Sequence, residues 1–134
     1  MWPEPETTVR EAGALMKALA CLKARNPGLT FTEIVTFLAV AENEGVTISG
    51  LAKLCGYTIA TASRTARSLT APEDPGALAP YRGLVRLMRG PDENRSRFVF
   101  LTPAGVALCR ELDGIITDSA RRSILNDAEA SLAA

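Results

Sequence analysis

Apolar residues recur at helical spacing through the first part of the chain. Thr7 or Thr8 can cap a helix that runs to about Arg25, where "NPG" (Asn26–Gly28) breaks it. Val9, Ala12, Met16, Leu19 and Cys21–Leu22 form one stripe, and Leu15 lies on a second flank. A helix apolar on two flanks needs two covering surfaces. "LTFTEIVTFLAVAENEG" then begins a second helix, with Thr30 and Glu33 at the T-x-x-E spacing of a capping box. Ile34, Val35, Phe37, Leu38 and Val40–Ala41 make it apolar nearly all round, which predicts a central position, and Gly45 stops it.

Two short helices follow. Thr47 caps "ISGLAKLCG", which Gly56 ends, and Thr58 caps a helix from Ile59 to about Ser68. Only "GYT" separates them, and two short helices joined by a turn with glycine make a helix-turn-helix. "TAPEDPGALAPYRG", with three prolines and two glycines, is no single regular element. "LVRLMR" (Leu84–Arg89) and "RFVFLT" (Arg97–Thr102) alternate as strands do, and "GPDENRS" joins them as a long hairpin loop. Thr102 and Pro103 open a last helix with Val106, Cys109, Leu112, Ile116 and Ala120 at helical spacing. Gly114 is expected to kink it, leaving "TDSARRSIL" as a separate segment. The elements describe one mostly helical α+β domain.

Composition narrows the function. The chain has no histidine, which removes the usual general base and the commonest metal ligand together. Its three cysteines, Cys21, Cys55 and Cys109, show neither zinc-site spacing nor a disulfide framework. No metal, cofactor or catalytic constellation is expected, so an enzyme is the weakest class. No apolar run reaches membrane-spanning length, and "MWPEPETTVR" lacks a signal-peptide layout. The expected location is the cytoplasm, at the nucleoid.

The net charge of zero hides a pattern. Residues 1–52 carry four Lys/Arg against six Asp/Glu, residues 53–101 eight against four, and residues 102–134 three against five. A positive middle is where a nucleic-acid footprint belongs. Wound at about 100° per residue, residues 58–69 gather Ala62, Ala66 and Leu69 on one face. Opposite lie Ala60, Arg64 and Arg67, flanked by Thr61, Ser63 and Ser68, with no acid among them. An ordinary exposed helix mixes Glu with its cations. The DNA major groove admits a helix, and Arg, Ser and Thr reach base edges and phosphates there. Thr58, Ala60, Thr61, Ser63, Arg64, Arg67 and Ser68 are therefore the candidate recognition residues.

"LAKLCGYTIATASRTARSL" resembles the helix-turn-helix of bacterial winged-helix repressors, matching at Leu51, Ala52, Cys55–Gly56, Thr58, Thr61, Ser63, Arg64 and Leu69. "GLVRL…ENRSRFVFLTPAG" is similar to the strand–wing–strand of MarR-family regulators at Gly83–Val85, Arg95, Leu101–Thr102 and Gly105. The resemblance spans roughly residues 29–110. It implies a winged helix-turn-helix core over 29–110, flanked by dimerisation helices at 1–28 and 111–134. It also implies a homodimer that represses by occupying an inverted-repeat operator in double-stranded DNA, and a small-molecule effector pocket of unspecified ligand. Asn94, Arg95 and Arg97 become the wing contacts, with Asp92 or Glu93 bracing the wing arginine. The insert at 70–83 departs from the pattern.

Other readings stay open at this level. A winged helix also serves replication or nucleoid organisation, or binds protein alone. Arg82, Arg86 and Arg89 face phosphates or solvent. Cys55 and Cys109 read as small buried hydrophobes. Cys21 is the one redox candidate, because Lys23 and Arg25 nearby would lower a thiol pKa.

Overall fold

The computed structural model describes residues 11–90 and 97–133. Its elements in chain order are α1 (Glu11–Arg25), α2 (Phe31–Glu42), β1 (Val46–Thr47), α3 (Ile48–Cys55), α4 (Ile59–Ser68), β2 (Val85–Arg89), β3 (Arg97–Leu101) and α5 (Pro103–Ala133). They fall into two compact units, Met1–Pro27 with Arg110–Ala134, and Gly28–Cys109. No helix among the described residues is long and apolar enough to cross a membrane.

The second unit carries the helix-turn-helix. Each of its first helices starts at a threonine whose hydroxyl takes an otherwise unpaired amide of the first turn. Thr30 Oγ1 accepts from Glu33 N at 3.1 Å, and Glu33 Oε1 accepts in return from Thr30 N at 3.1 Å, which completes the capping box. Thr47 and Thr58 accept from Gly50 N (3.0 Å) and Thr61 N (3.1 Å). Gly56 ends α3 in the left-handed region (φ 71°), which turns the chain directly into α4.

Phe37 and Val40 of α2, Leu51 of α3, Ala62 and Ala66 of α4, and Leu69 at the C-cap of α4 are all fully enclosed. The small alanines let α4 sit close to its neighbours, as the helical spacing predicts. Thr65 joins this inner face and returns its hydroxyl to Thr61 O at 2.8 Å.

The sheet is three-stranded and antiparallel in the order β1–β3–β2. β2 and β3 pair from Val85↔Leu101 to Arg89↔Arg97, with Val85 and Val99 buried on the inner side. Residues 91–96 between them lie outside the described residues. The two-residue β1, pairing Val46 with Val99, was not expected from sequence.

Three expectations need correction. α5 runs as one helix through Gly114, so "TDSARRSIL" is not a separate segment. A single glycine among good helix formers costs about 1 kcal/mol, too little to stop so long a helix. Cys55 and Cys109 are half-buried rather than enclosed. Arg82 faces neither phosphate nor open solvent: it forms an ion pair with buried Glu33. The expected start of α1 at Thr7 or Thr8 falls outside the described residues.

Candidate nucleic-acid interface

Turn geometry decides which side chains of α4 reach outward. Its inner face is fixed by Ala62, Thr65, Ala66 and Leu69. Thr58, Ile59, Ala60 and Arg64 are exposed, and Thr61 and Ser63 are half-exposed beside them. Thr58 donates its hydroxyl to Thr61 Oγ1 at 3.0 Å while capping the helix. The first two turns thus present a surface of hydroxyls, small apolar groups and one guanidinium, with no carboxylate.

The last turn behaves differently. Arg67 Nε donates to Gly76 O at 2.8 Å, and Ser68 Oγ lies 3.1 Å from Glu33 Oε2 and 2.8 Å from Thr65 O. Both were placed on the outward face by helical angle; the structure turns them to the insert and to Glu33 instead. The reason is the insert, which folds back along α4: Leu78 N donates to Arg67 O (3.0 Å) and Arg82 N to Ser68 O (3.0 Å). An outward helical angle meant solvent only while nothing covered that turn.

Glu33 is a residue whose second role the sequence did not disclose. Its carboxylate receives Thr30 N, Ser68 Oγ and two nitrogens of Arg82, Nε and Nη2, each of the latter at 3.2 Å. Arg82 Nη2 also donates to Gly28 O at 2.9 Å. Burial alone would push this carboxyl up; the Arg82 guanidinium and the Thr30 amide outweigh it and hold it below the ordinary glutamate range. The network locks the start of α2, the end of α4 and the insert together.

Of the wing residues, Arg97 is described and Asn94, Arg95 and the bracing acids Asp92 and Glu93 are not. Arg97 stands opposite Arg89 and shares the sheet face of buried Val99. It is half-exposed, and its guanidinium lies along Gly76 of the insert. Arg86 and Arg89 are exposed.

In the other unit, Cys21 lies beside an acid as well as the expected cation. Burial and the Glu111 carboxylate, to which the thiol is hydrogen-bonded, raise its pKa and outweigh the lowering effect of Arg25. Arg25 is itself paired with Glu111 at 2.7 Å. The cationic neighbours expected to activate Cys21 are thus offset by an acid that arrives from α5. Among the described residues no three potential metal ligands come together.

No family model matches the sequence, and no curated protein matches it. Solved structures do match in three dimensions. RV1404 from Mycobacterium tuberculosis superposes with a TM-score of 0.64 at 16% identity, over 86% of this chain and 73% of its own. Staphylococcus aureus MepR, solved in complex with DNA, gives 0.61 at 20% identity, over 88% and 90%. A MarR transcriptional regulator from Methanosarcina mazei Go1 gives 0.55 at 17%, over 90% and 89%. The chain has the MarR-type winged-helix fold. In this MarR-type frame α3 and α4 are the helix-turn-helix and β2 and β3 are the wing strands, while α1 and the outer part of α5 belong to the other compact unit.

Proposed function

We propose that the protein is a sequence-specific, double-stranded-DNA-binding transcriptional regulator, a repressor that binds an inverted repeat as a homodimer in the cytoplasm. One observation carries the reading. The second helix of a helix-turn-helix exposes Thr58, Ala60 and Arg64 on a face without an acid. Such a face repels nothing on a polyanion and offers donors to base edges. The likeness to MepR bound to DNA supports the same use of this fold.

Thr58, Ala60, Thr61, Ser63 and Arg64 enter the major groove, with Arg64 reading a base. Arg67 and Ser68 hold the insert and serve recognition only through the position of α4. Arg95 and Arg97 of the wing meet backbone or minor groove, with Asn94 beside them. Apolar side chains left open in the flanking unit, among them Leu15, Met16 and Ile124, pair two chains. The role is recognition rather than catalysis, and a small-molecule effector of unspecified identity belongs to the same reading.

The test is selection from a pool of random-sequence duplexes. Enrichment of an inverted repeat with half-sites about one DNA turn apart, roughly 34–36 Å, supports the reading. Binding without sequence preference would point to an architectural role, and no binding to a winged helix that recognises protein.

A further inference from the structure

The insert leaves α4 and reaches β2 without a regular element of its own, yet it is fastened to both. Arg67 Nε holds Gly76 O from the α4 side. On the wing side, one oxygen of Asp74 accepts Leu87 N of β2 at 3.2 Å, while the other accepts Gly76 N at 3.0 Å. β2 is the outer strand of the sheet, so Asp74 also occupies an amide that would otherwise be an open edge. The turn Asp74–Gly76 therefore bridges the recognition helix and the wing.

Between this turn and the wing lies an open cleft of about 320 Å³, walled by Pro75, Gly76, Leu87 and Met88 and bounded by Arg89 and Arg97. The two arginines stand directly opposite each other across the ladder, where like charges repel. Neither has an ion-pair partner among the described residues. Asp74 also lines the cleft, but each of its oxygens is held by a main-chain amide. Two guanidiniums without an ion-pair partner among the described residues border one open cleft, where the oxygens of a phosphate would offset their repulsion.

Gly76 decides where one of them lies. It is buried, and a Cβ there would come within 2.7 Å of Arg97 Nη1 and 3.3 Å of Leu87 Cδ1. The Arg97 guanidinium rests on bare backbone that no other residue would leave clear.

We propose that this cleft seats a backbone phosphate of DNA between Arg89 and Arg97, and that Gly76 is the positioning residue that keeps Arg97 in place. The inference rests on the DNA-binding reading and adds to it a contact built by the insert.

The test measures full-length parent, Gly76→Ala, Arg97→Ala, their double variant and Arg89→Ala on a duplex selected by the parent. Each is titrated across a range of salt and melted thermally. Gly76→Ala displaces only the flexible end of Arg97, so it should melt close to the parent. Its affinity should fall roughly three- to tenfold, and its salt dependence should become shallower by about one counterion. Arg97→Ala should match it, and the double variant should bind no worse than Arg97→Ala alone. Arg89→Ala, which leaves the insert untouched, should show the same loss of salt slope. Additive losses in the double variant, or unchanged slopes in both arginine variants, overturn the phosphate seat and leave DNA binding standing. A parent chain that selects no duplex overturns the DNA-binding reading and the seat with it.

Discussion

Glu33 and Arg82, 49 residues apart in the chain, form a two-point ion pair: Nε donates to Oε2 and Nη2 to Oε1, each at 3.2 Å. Glu33 is 4% exposed, so removing either partner strands a charge away from water. The same carboxylate caps α2 and receives Ser68 of α4. The recognition helix is thus fastened by one acid to the helix behind it and to the insert beside it.

That arrangement predicts an acid-sensitive fold. The Glu33 carboxyl ionises below the ordinary range in the folded chain, so the native state keeps its charge where the unfolded chain begins to take up protons. The contribution is complete above the unfolded value, about 4.3, and is lost as pH falls through the folded one. Glu33→Gln keeps a capping side chain but removes the negative charge that faces Arg82, and should cost about 3 kcal/mol near neutral pH. Urea unfolding across the acid range checks this: the gap between parent and variant should narrow on acidification. Parallel curves would remove Glu33 from the account.

Gly105 gives a second prediction. It is buried in the first turn of α5, and a Cβ there would collide with the main-chain oxygen of Leu84. That oxygen already accepts Thr102 N at 3.0 Å, and Thr102 Oγ1 caps the turn through Gly105 N at 3.1 Å. Backbone cannot swing aside as a side chain can. Gly105→Ala should therefore destabilise by about 3 kcal/mol, the upper end for overpacking, read as a lower urea midpoint. A midpoint unchanged from the parent would contradict the close approach.

These cases show what sequence exposes and what it conceals. The three threonine caps and the inner face at Ala62, Ala66 and Leu69 are local, so spacing alone reveals them. β1 is only two residues long and exists because β3 lies beside it. The Glu33–Arg82 pair has no spacing to announce it, since Arg82 sits in an irregular segment. Arg67 looked equivalent to Arg64 because a helical angle knows nothing of a chain that folds back on it. The acid beside Cys21 was hidden for the same reason: Glu111 lies far away in sequence.

The flanking unit supplies a prediction about assembly. Leu15 (60% exposed), Met16 (64%), Ile124 (68%) and Leu125 (61%) are too many large apolar side chains to leave in water. Pairing of two chains through them would bury this surface. Removing residues 1–26 should yield monomers or aggregates and abolish tight operator binding. Light scattering of the full-length chain should give a dimer. A clean monomer at micromolar concentration that still binds its operator tightly would overturn the dimer.

The most direct test of the account compares Arg64→Ala and Arg67→Ala with the parent on the selected operator and on a scrambled duplex. Arg64 is exposed at the centre of the acid-free face, whereas Arg67 is bonded to Gly76 O at 2.8 Å. Arg64→Ala should weaken operator binding by about 1–3 kcal/mol and relax the preference for one base pair in each half-site. Arg67→Ala should keep the full ratio of operator to scrambled affinity, because any loss from loosening the insert falls equally on both duplexes. Equal operator affinity of parent and Arg64→Ala, or a base preference relaxed by Arg67→Ala instead, would contradict the assignment of α4 as the helix that reads DNA.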